Sequence, residues 1–237
     1  MTQLSGTIGR NLESVRRRVR HAASAAGRNP DEIRLIAVSK YMTPAQVQQA
    51  IAAGQRCFGE NTVQDAQTKQ HLIDDPATEW HFIGHVQSNK AKFIPGHFAW
   101  LHTLDSLKLA ARLSGCAPVA APALNVLLQI NIADDPDKFG LPASRVFPFV
   151  DELLRAELAG IRLCGLMTIG RRAALPDERR RDFSALRELR DSCAVRFGAN
   201  HFQELSMGMS NDFETAIAEG ATMVRVGSAI FGTRPAN

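Results

Sequence analysis

Short continuous apolar runs rich in valine, isoleucine and leucine alternate along the chain with longer segments in which apolar positions recur every three or four residues. A run without polar alternation fits a strand covered on both faces, and the helical spacing between runs supplies the covers. The runs predict strands at 33–39, 57–59, 81–85, 100–103, 125–131, 163–168, 204–207 and 223–226. The intervening segments predict helices at 44–53, 63–71, 88–93, 106–113, 143–158, 177–197 and 212–218, preceded by an opening helix at 4–26. Local punctuation agrees: Thr43 before Pro44 is an N-cap followed by proline at the first helical position, and Gly54 is placed as that helix's C-cap. Asn211 is placed as the cap of the last long helix, with Glu214 in its first turn.

Strands alternating with helices make βαβ units, and eight of them predict a closed (β/α)8 barrel of the TIM type with an extra N-terminal helix. A doubly wound open sheet would carry a glycine-rich turn after its first strand, and none follows Ser39. No linker interrupts the series, so residues 1–237 are expected to form one domain.

Composition narrows the function. With 28 basic and 24 acidic residues the net charge is +4, too small to imply nucleic-acid binding without clustering. The densest cluster, Arg171, Arg172, Arg179, Arg180 and Arg181, is interrupted by Asp177, Glu178 and Asp182 and reads as a solvated helix face. The four cysteines form no C-x-x-C pair, which points to neither a zinc site nor a disulfide framework but to a reducing, cytoplasmic setting. No apolar stretch is long enough for a signal segment or a membrane span.

Lys40 stands immediately after the first strand run, where a barrel puts active-site residues. A lysine against an apolar wall loses hydration, and the free amine this leaves can form a Schiff base with an aldehyde. A plain rim lysine would look the same. The other end of the chain adds Ser206-Met207-Gly208-Met209-Ser210 after the seventh strand and Arg225-Val226-Gly227-Ser228 after the eighth. Barrels build phosphate sites from these two loops, where backbone N–H groups and a helix N-terminus favour an anion. Gly208 and Gly227 would let the backbone approach closely, and Ser210 and Ser228 add hydroxyl donors.

These segments, together with Ile36-Ala37-Val38-Ser39-Lys40, Gly59-Glu60-Asn61, the stretch from His81 to Lys90, and Gly165-Leu166-Met167-Thr168-Ile169, resemble the signature segments of the pyridoxal 5′-phosphate (PLP) homeostasis family, whose barrel is related to that of alanine racemase. The motifs occur in the expected order over essentially the whole chain. The resemblance implies a fold-type III barrel holding PLP as a Schiff base on Lys40, with the phosphate at Ser210, Gly227 and Ser228. Arg225 would face the pyridine nitrogen and Asn61 would sit beside the ring, with Ser206 included in the cofactor set; from their places at strand ends, His85 could line the pocket and Met167 and Met207 could pack on the ring or be core methionines. The stretch from Asn131 to Gly140 resembles a further family segment, with Asp135 where glutamate is usual, and its Lys138 could handle PLP in transit or be a solvated loop lysine.

His81 and His85 are four apart and would share one face of a strand, but no carboxylate or cysteine nearby in sequence completes a metal set, so no metal is expected and His81 is placed as a hydrogen-bonded core residue. A racemase or decarboxylase of small amino acids is the leading alternative. Racemases of this kind add a C-terminal domain carrying a tyrosine base, whereas Tyr41 is the only tyrosine here, and racemisation needs an acid or base on each face of the substrate. A third possibility is a phosphate-ligand scaffold in which Lys40 acts only by charge. The expected function is therefore a monomeric PLP carrier without robust catalysis, which buffers the cofactor and delivers it to apo-enzymes, with neither nucleic acid nor membrane as partner.

Overall fold

The helix α1 (Thr2–Ala25) opens the chain in the computed structural model, which describes residues 2–73, 75–171 and 175–232. The elements that follow are β1 (Arg34–Val38), α2 (Pro44–Ala52), β2 (Cys57–Glu60), α3 (Val63–Leu72), β3 (Glu79–Phe82), β4 (Trp100–Leu104), α4 (Leu107–Gly115), β5 (Leu124–Asn131), β6 (Leu141–Pro142), α5 (Val146–Arg155), β7 (Ile161–Met167), α6 (Pro176–Phe197), β8 (Glu204–Ser206), α7 (Phe213–Ala218), β9 (Met223–Val226) and α8 (Ser228–Phe231). Every strand pair is parallel, in the order β4-β3-β2-β1-β9-β8-β7-β5, and β4 also pairs with β5, which closes the sheet. The expected eight-stranded barrel is the one observed; β6 is a two-residue addition to the edge of β5.

Closure divides the core in two. Ile36, Trp100, Leu127, Cys164, Met167 and Met223 pack together as one cluster inside the barrel, and the larger cluster lies between the barrel and its helices. Helix α5 shows the outer arrangement: Val146, Phe149, Val150 and Leu153 follow the i, i+3, i+4, i+7 spacing and are buried. Burying each such side chain contributes roughly 1.5–3 kcal/mol. Thr43 closes a capping box with Gln46 at the start of α2, and Gly54 ends that helix at φ 81°.

Three expectations change. The segment 88–93 forms a 3-10 helix in place of an α-helix, with no side-chain hydrogen bond capping it at Gln87 and with the Ile94 N–H donating to the Ala91 carbonyl three residues back. Strand β3 runs from Glu79 to Phe82 and not from 81 to 85, so His85 lies in the loop beyond it and shares no strand face with His81. The residue at the start of α7 is Asp212 and not Asn211, and its carboxylate points back to accept the Met209 N–H at 2.6 Å. Among the described residues no helix is long and apolar enough to cross a membrane.

Candidate functional site

Lys40 follows the last residues of β1, on a peptide held from behind. The Ser39 hydroxyl donates to Glu60 Oε1 at 2.6 Å, and Lys69 Nζ donates to both the Ser39 carbonyl and Glu60 Oε1 at 2.7 Å. Ser39, Glu60 and Lys69 are buried. Burial raises the Glu60 pKa, opposed by the hydrogen bonds from Lys69 and Ser39. Breaking this triad would leave a buried charge without its partner. Tyr41 then adopts a left-handed backbone at φ 67°, a sparsely populated conformation for a side chain of its size, and turns the chain away from the strand end.

Lys40 opens onto a cavity of about 480 Å³ whose wall includes Ser210, Arg225, Gly227 and Ser228. The residues singled out at the two ends of the sequence thus meet in one cavity. The N–H groups of Gly227 and Ala229 converge on Ser210 Oγ at 3.2 and 3.4 Å, so two amides and a hydroxyl share one small region beside α8. Gly208 has a different role from the one expected. At φ 91° its missing Cβ is what lets α7 pack, because a methyl group there would lie 2.5 Å from Ala216 Cβ and 2.9 Å from Phe213 Cα.

Arg225 is buried, and loss of hydration lowers its pKa to about 10, which leaves it cationic at neutral pH. It donates from Nη1 to Ser206 Oγ at 2.6 Å and from Nη2 to the Thr168 carbonyl at 2.8 Å. Ser206 therefore supports Arg225 and is not on the cavity wall. Asn61 follows β2, and its Oδ1 is a buried acceptor without a hydrogen-bond partner. The neighbouring turn is tight: a Cβ at Gly84 would lie 2.1 Å from the Asn61 carbonyl oxygen.

Like Ser206, four more expected residues do not line this cavity: Asn61, Met167, Met207 and His85. Met167 packs inside the barrel and Met207 in the outer core, both fully buried. His85 is on the surface, stacked on Phe139 with ring centroids 3.9 Å apart and 3.7 Å from Asp105. Its displacement follows from the early end of β3. Lys138 donates to the Gly170 carbonyl at 3.0 Å and lines a second cavity of about 420 Å³ that shares Ile169 with the first.

The wall also carries residues that sequence reasoning missed, notably Met42, Ile169, Met209, Arg171 and Arg179. The arginine cluster is not one solvated face: Arg171 and Arg179 reach the cavity, Arg171 pairs with Asp182 at 3.0 Å, and Arg180 pairs with Glu219 at 2.7 Å. Arg172 lies outside the described residues. Among the described residues Cys57, Glu79 and His81 are near enough to hold an ion. Their ligand atoms are engaged with one another, however, with Cys57 Sγ and His81 Nε2 at 3.6 and 2.9 Å from Glu79 Oε1.

Residues 10–235 match the family described as alanine racemase, N-terminal domain. The chain is 45% identical over 233 residues to the pyridoxal phosphate homeostasis protein of Escherichia coli K12, covering 96% of this chain and 97% of that protein. The protein of the same name from Pseudomonas aeruginosa is also 45% identical, with 96% of each chain covered. Among solved structures, PipY of Synechococcus elongatus superposes with PLP bound at a TM-score of 0.82 and 35% identity, covering 95% of this chain and all of that one. The alanine racemase of Corynebacterium glutamicum shares the fold at a TM-score of 0.67 and 20% identity, with 62% of its length covered.

Proposed function

Because the chain belongs to the alanine racemase N-terminal domain family and matches pyridoxal phosphate homeostasis proteins end to end, we propose that it binds PLP covalently through Lys40 and serves PLP homeostasis as a carrier. One observation carries the reading: an amine, a cluster of anion donors and a fixed guanidinium line the same cavity. Its volume falls in the range of cofactor sites. The Gly227 and Ala229 amides with the Ser210 and Ser228 hydroxyls suit a phosphate. The orphaned Asn61 Oδ1 is an acceptor suited to the ring hydroxyl. When bound, PLP supplies an aldehyde that an amine can capture reversibly.

The chain's own residues favour holding over turnover. Arg225 would face the ring nitrogen as a donor-only cation and so disfavour its protonation, which weakens the ring as an electron sink. Tyr41 is exposed, and the carboxylate on the cavity wall, Asp212, is engaged by the Met209 N–H. Racemisation would need a second acid or base facing Lys40 across the substrate.

Delivery to apo-enzymes by direct contact is supported by the rim. Tyr41, Phe139, Ile169, Leu175 and Met209, large apolar side chains left exposed, all lie in connections that follow β1, β5, β7 and β8, at the cavity end of the barrel. The carrier is read as a single-domain monomer, which light scattering tests against the 25.9 kDa chain mass.

Replacing Lys40 with alanine should abolish visible absorbance and the borohydride-reducible adduct while far-ultraviolet circular dichroism stays unchanged. An adduct surviving on another lysine would overturn the assignment. Turnover of D- or L-alanine at ordinary enzyme rates, about 1–1000 per second, would overturn the carrier reading.

A further inference from the structure

Arg225 is one end of a polar file that runs through the barrel interior. Its Nη1 donates to Ser206 Oγ at 2.6 Å, and Ser206 Oγ lies 2.8 Å from His102 Nδ1. His102 Nε2 is 3.0 Å from His81 Nδ1, and His81 Nε2 is 2.9 Å from Glu79 Oε1. Ser206, His102 and His81 are fully buried. Glu79 begins β3, at the barrel end opposite the cavity, with Arg34 Nη1 3.8 Å away and the Cys57 thiol 3.6 Å away.

The two ends determine every proton between them. A guanidinium can only donate and an ionised carboxylate can only accept. Ser206 accepts from Arg225 on one lone pair, and because Glu79 takes the Nε2 proton of a neutral His81, whose Nδ1 must then accept, the direction passes back through His102 and the Ser206 proton goes to His102 Nδ1. That leaves the His102 proton on Nε2, where it donates to His81 Nδ1. The His81 proton is then on Nε2 and donates to Glu79. Both imidazoles are neutral, each as the Nε2–H tautomer, and every bond points away from the cavity. Burial favours that state, lowering the pKa of both rings, while the His81 hydrogen bond holds the Glu79 carboxyl below the usual carboxylate range against its own partial burial.

We propose that Ser206, His102, His81 and Glu79 form a one-directional hydrogen-bond chain that positions Arg225, fixing its orientation from the far end of the barrel. A Ser206 whose proton is committed to His102 can only accept from Arg225, so the guanidinium is held against it. With Nη1 on Ser206 and Nη2 on the Thr168 carbonyl, the guanidinium plane is fixed where Arg225 lines the cavity wall. That Arg225 meets the ring nitrogen of PLP rests on the function proposed above; the chain itself does not.

Two measurements on the full-length protein separate these claims. Long-range ¹H–¹⁵N correlation spectra of the ¹⁵N-histidine-labelled protein without added PLP should show His81 and His102 as neutral Nε2–H tautomers throughout about pH 5.5–8. A protonated ring, or an Nδ1–H tautomer at either position, overturns the chain. Glu79→Ala should shift the ring nitrogens of His102, two hydrogen bonds away, whereas Glu79→Gln, which keeps a carbonyl acceptor, should preserve them. An unchanged His102 in a folded Glu79→Ala protein overturns the anchoring role, and if that variant does not fold, His81→Gln is read at His102 in the same way. In the second measurement Ser206→Ala should weaken PLP retention about tenfold, the order of one charge-assisted hydrogen bond, and move the absorbance maximum of the bound cofactor. Wild-type retention with an unmoved maximum overturns the positioning of Arg225. A wild-type protein that captures no PLP at Lys40 overturns the proposed function instead, and the tautomers alone then decide the chain.

Discussion

His81 and His102 are the two fully buried histidines among the described residues, and their depressed pKa values make stability depend on pH. As pH falls below the ordinary value of 6.5, the unfolded chain takes up protons that the folded rings refuse. Their contribution is therefore fully present above pH 6.5 and is lost as pH drops towards the lowered folded values. The slope can reach about 1.4 kcal/mol per pH unit for each ring. Glu79 adds a second loss of the same sign between pH 4.5 and about 2. Urea unfolding at intervals between pH 7.5 and 5 should show the decline, and His102→Gln should flatten it; an equally steep curve in a folded His102→Gln protein would exclude the ring as its source. The same residues mark the limit of sequence reading. Lys40, Ser210, Gly227 and Ser228 were legible because the end of an apolar run marks the mouth of a barrel, whereas Arg225, inside its run, was given a role only by the family resemblance. The partners of Arg225 were not, because Ser206 and His102 are 104 residues apart and meet only once the sheet closes. Arg171 and Arg179 were illegible for a related reason: a charge run on a helix looks solvated until the neighbouring loop is placed.

At the scale of elements, all eight barrel strands and most helices were readable because both periodicities survive in the sequence. The failures were short. The segment 88–93 is six residues long, too short for its pattern to tell a 3-10 helix from an α-helix such as α7, and α8, four residues long, has no periodicity to display. Short elements are held by their packing, and the β8–α7 connection shows the consequence. Gly208→Ala would put a Cβ between Ala216 and Phe213 while forcing alanine to φ 91°. Left-handed strain and overpacking each cost about 1–3 kcal/mol. The variant should lose roughly 2–5 kcal/mol of stability and weaken PLP retention, since Ser210 lies two residues on. Chemical denaturation and cofactor titration measure both effects; a stable variant would mean that α7 can slide away from the sheet at little cost.

For the whole molecule, closure brings the first helix against the last. Asn11 Nδ2 donates to the Ile230 carbonyl at 2.9 Å, Arg18 pairs with Glu214 at 2.7 Å, and Arg28 Nη1 donates to the carbonyls of Ile217 and Ala221. The first two bonds tie α1 to α8 and α7, and Arg28, just beyond α1, adds two at the end of α7; both helices follow the anion-binding loops, so the site depends on a helix that contributes no residue to the cavity wall. The dependence should separate site integrity from global stability. Asn11→Ala removes one hydrogen bond, worth about 1 kcal/mol, but releases α8. Leu113→Ala in α4 empties part of the outer core beside the 3-10 helix at 88–93 and α5, away from the β8–α7 and β9–α8 connections, and should cost more, about 2–5 kcal/mol. Retention should fall in Asn11→Ala and hold in Leu113→Ala, the reverse of their order in unfolding free energy. If retention instead tracks stability across the pair, α1 supports the site only through the fold as a whole and not through α8.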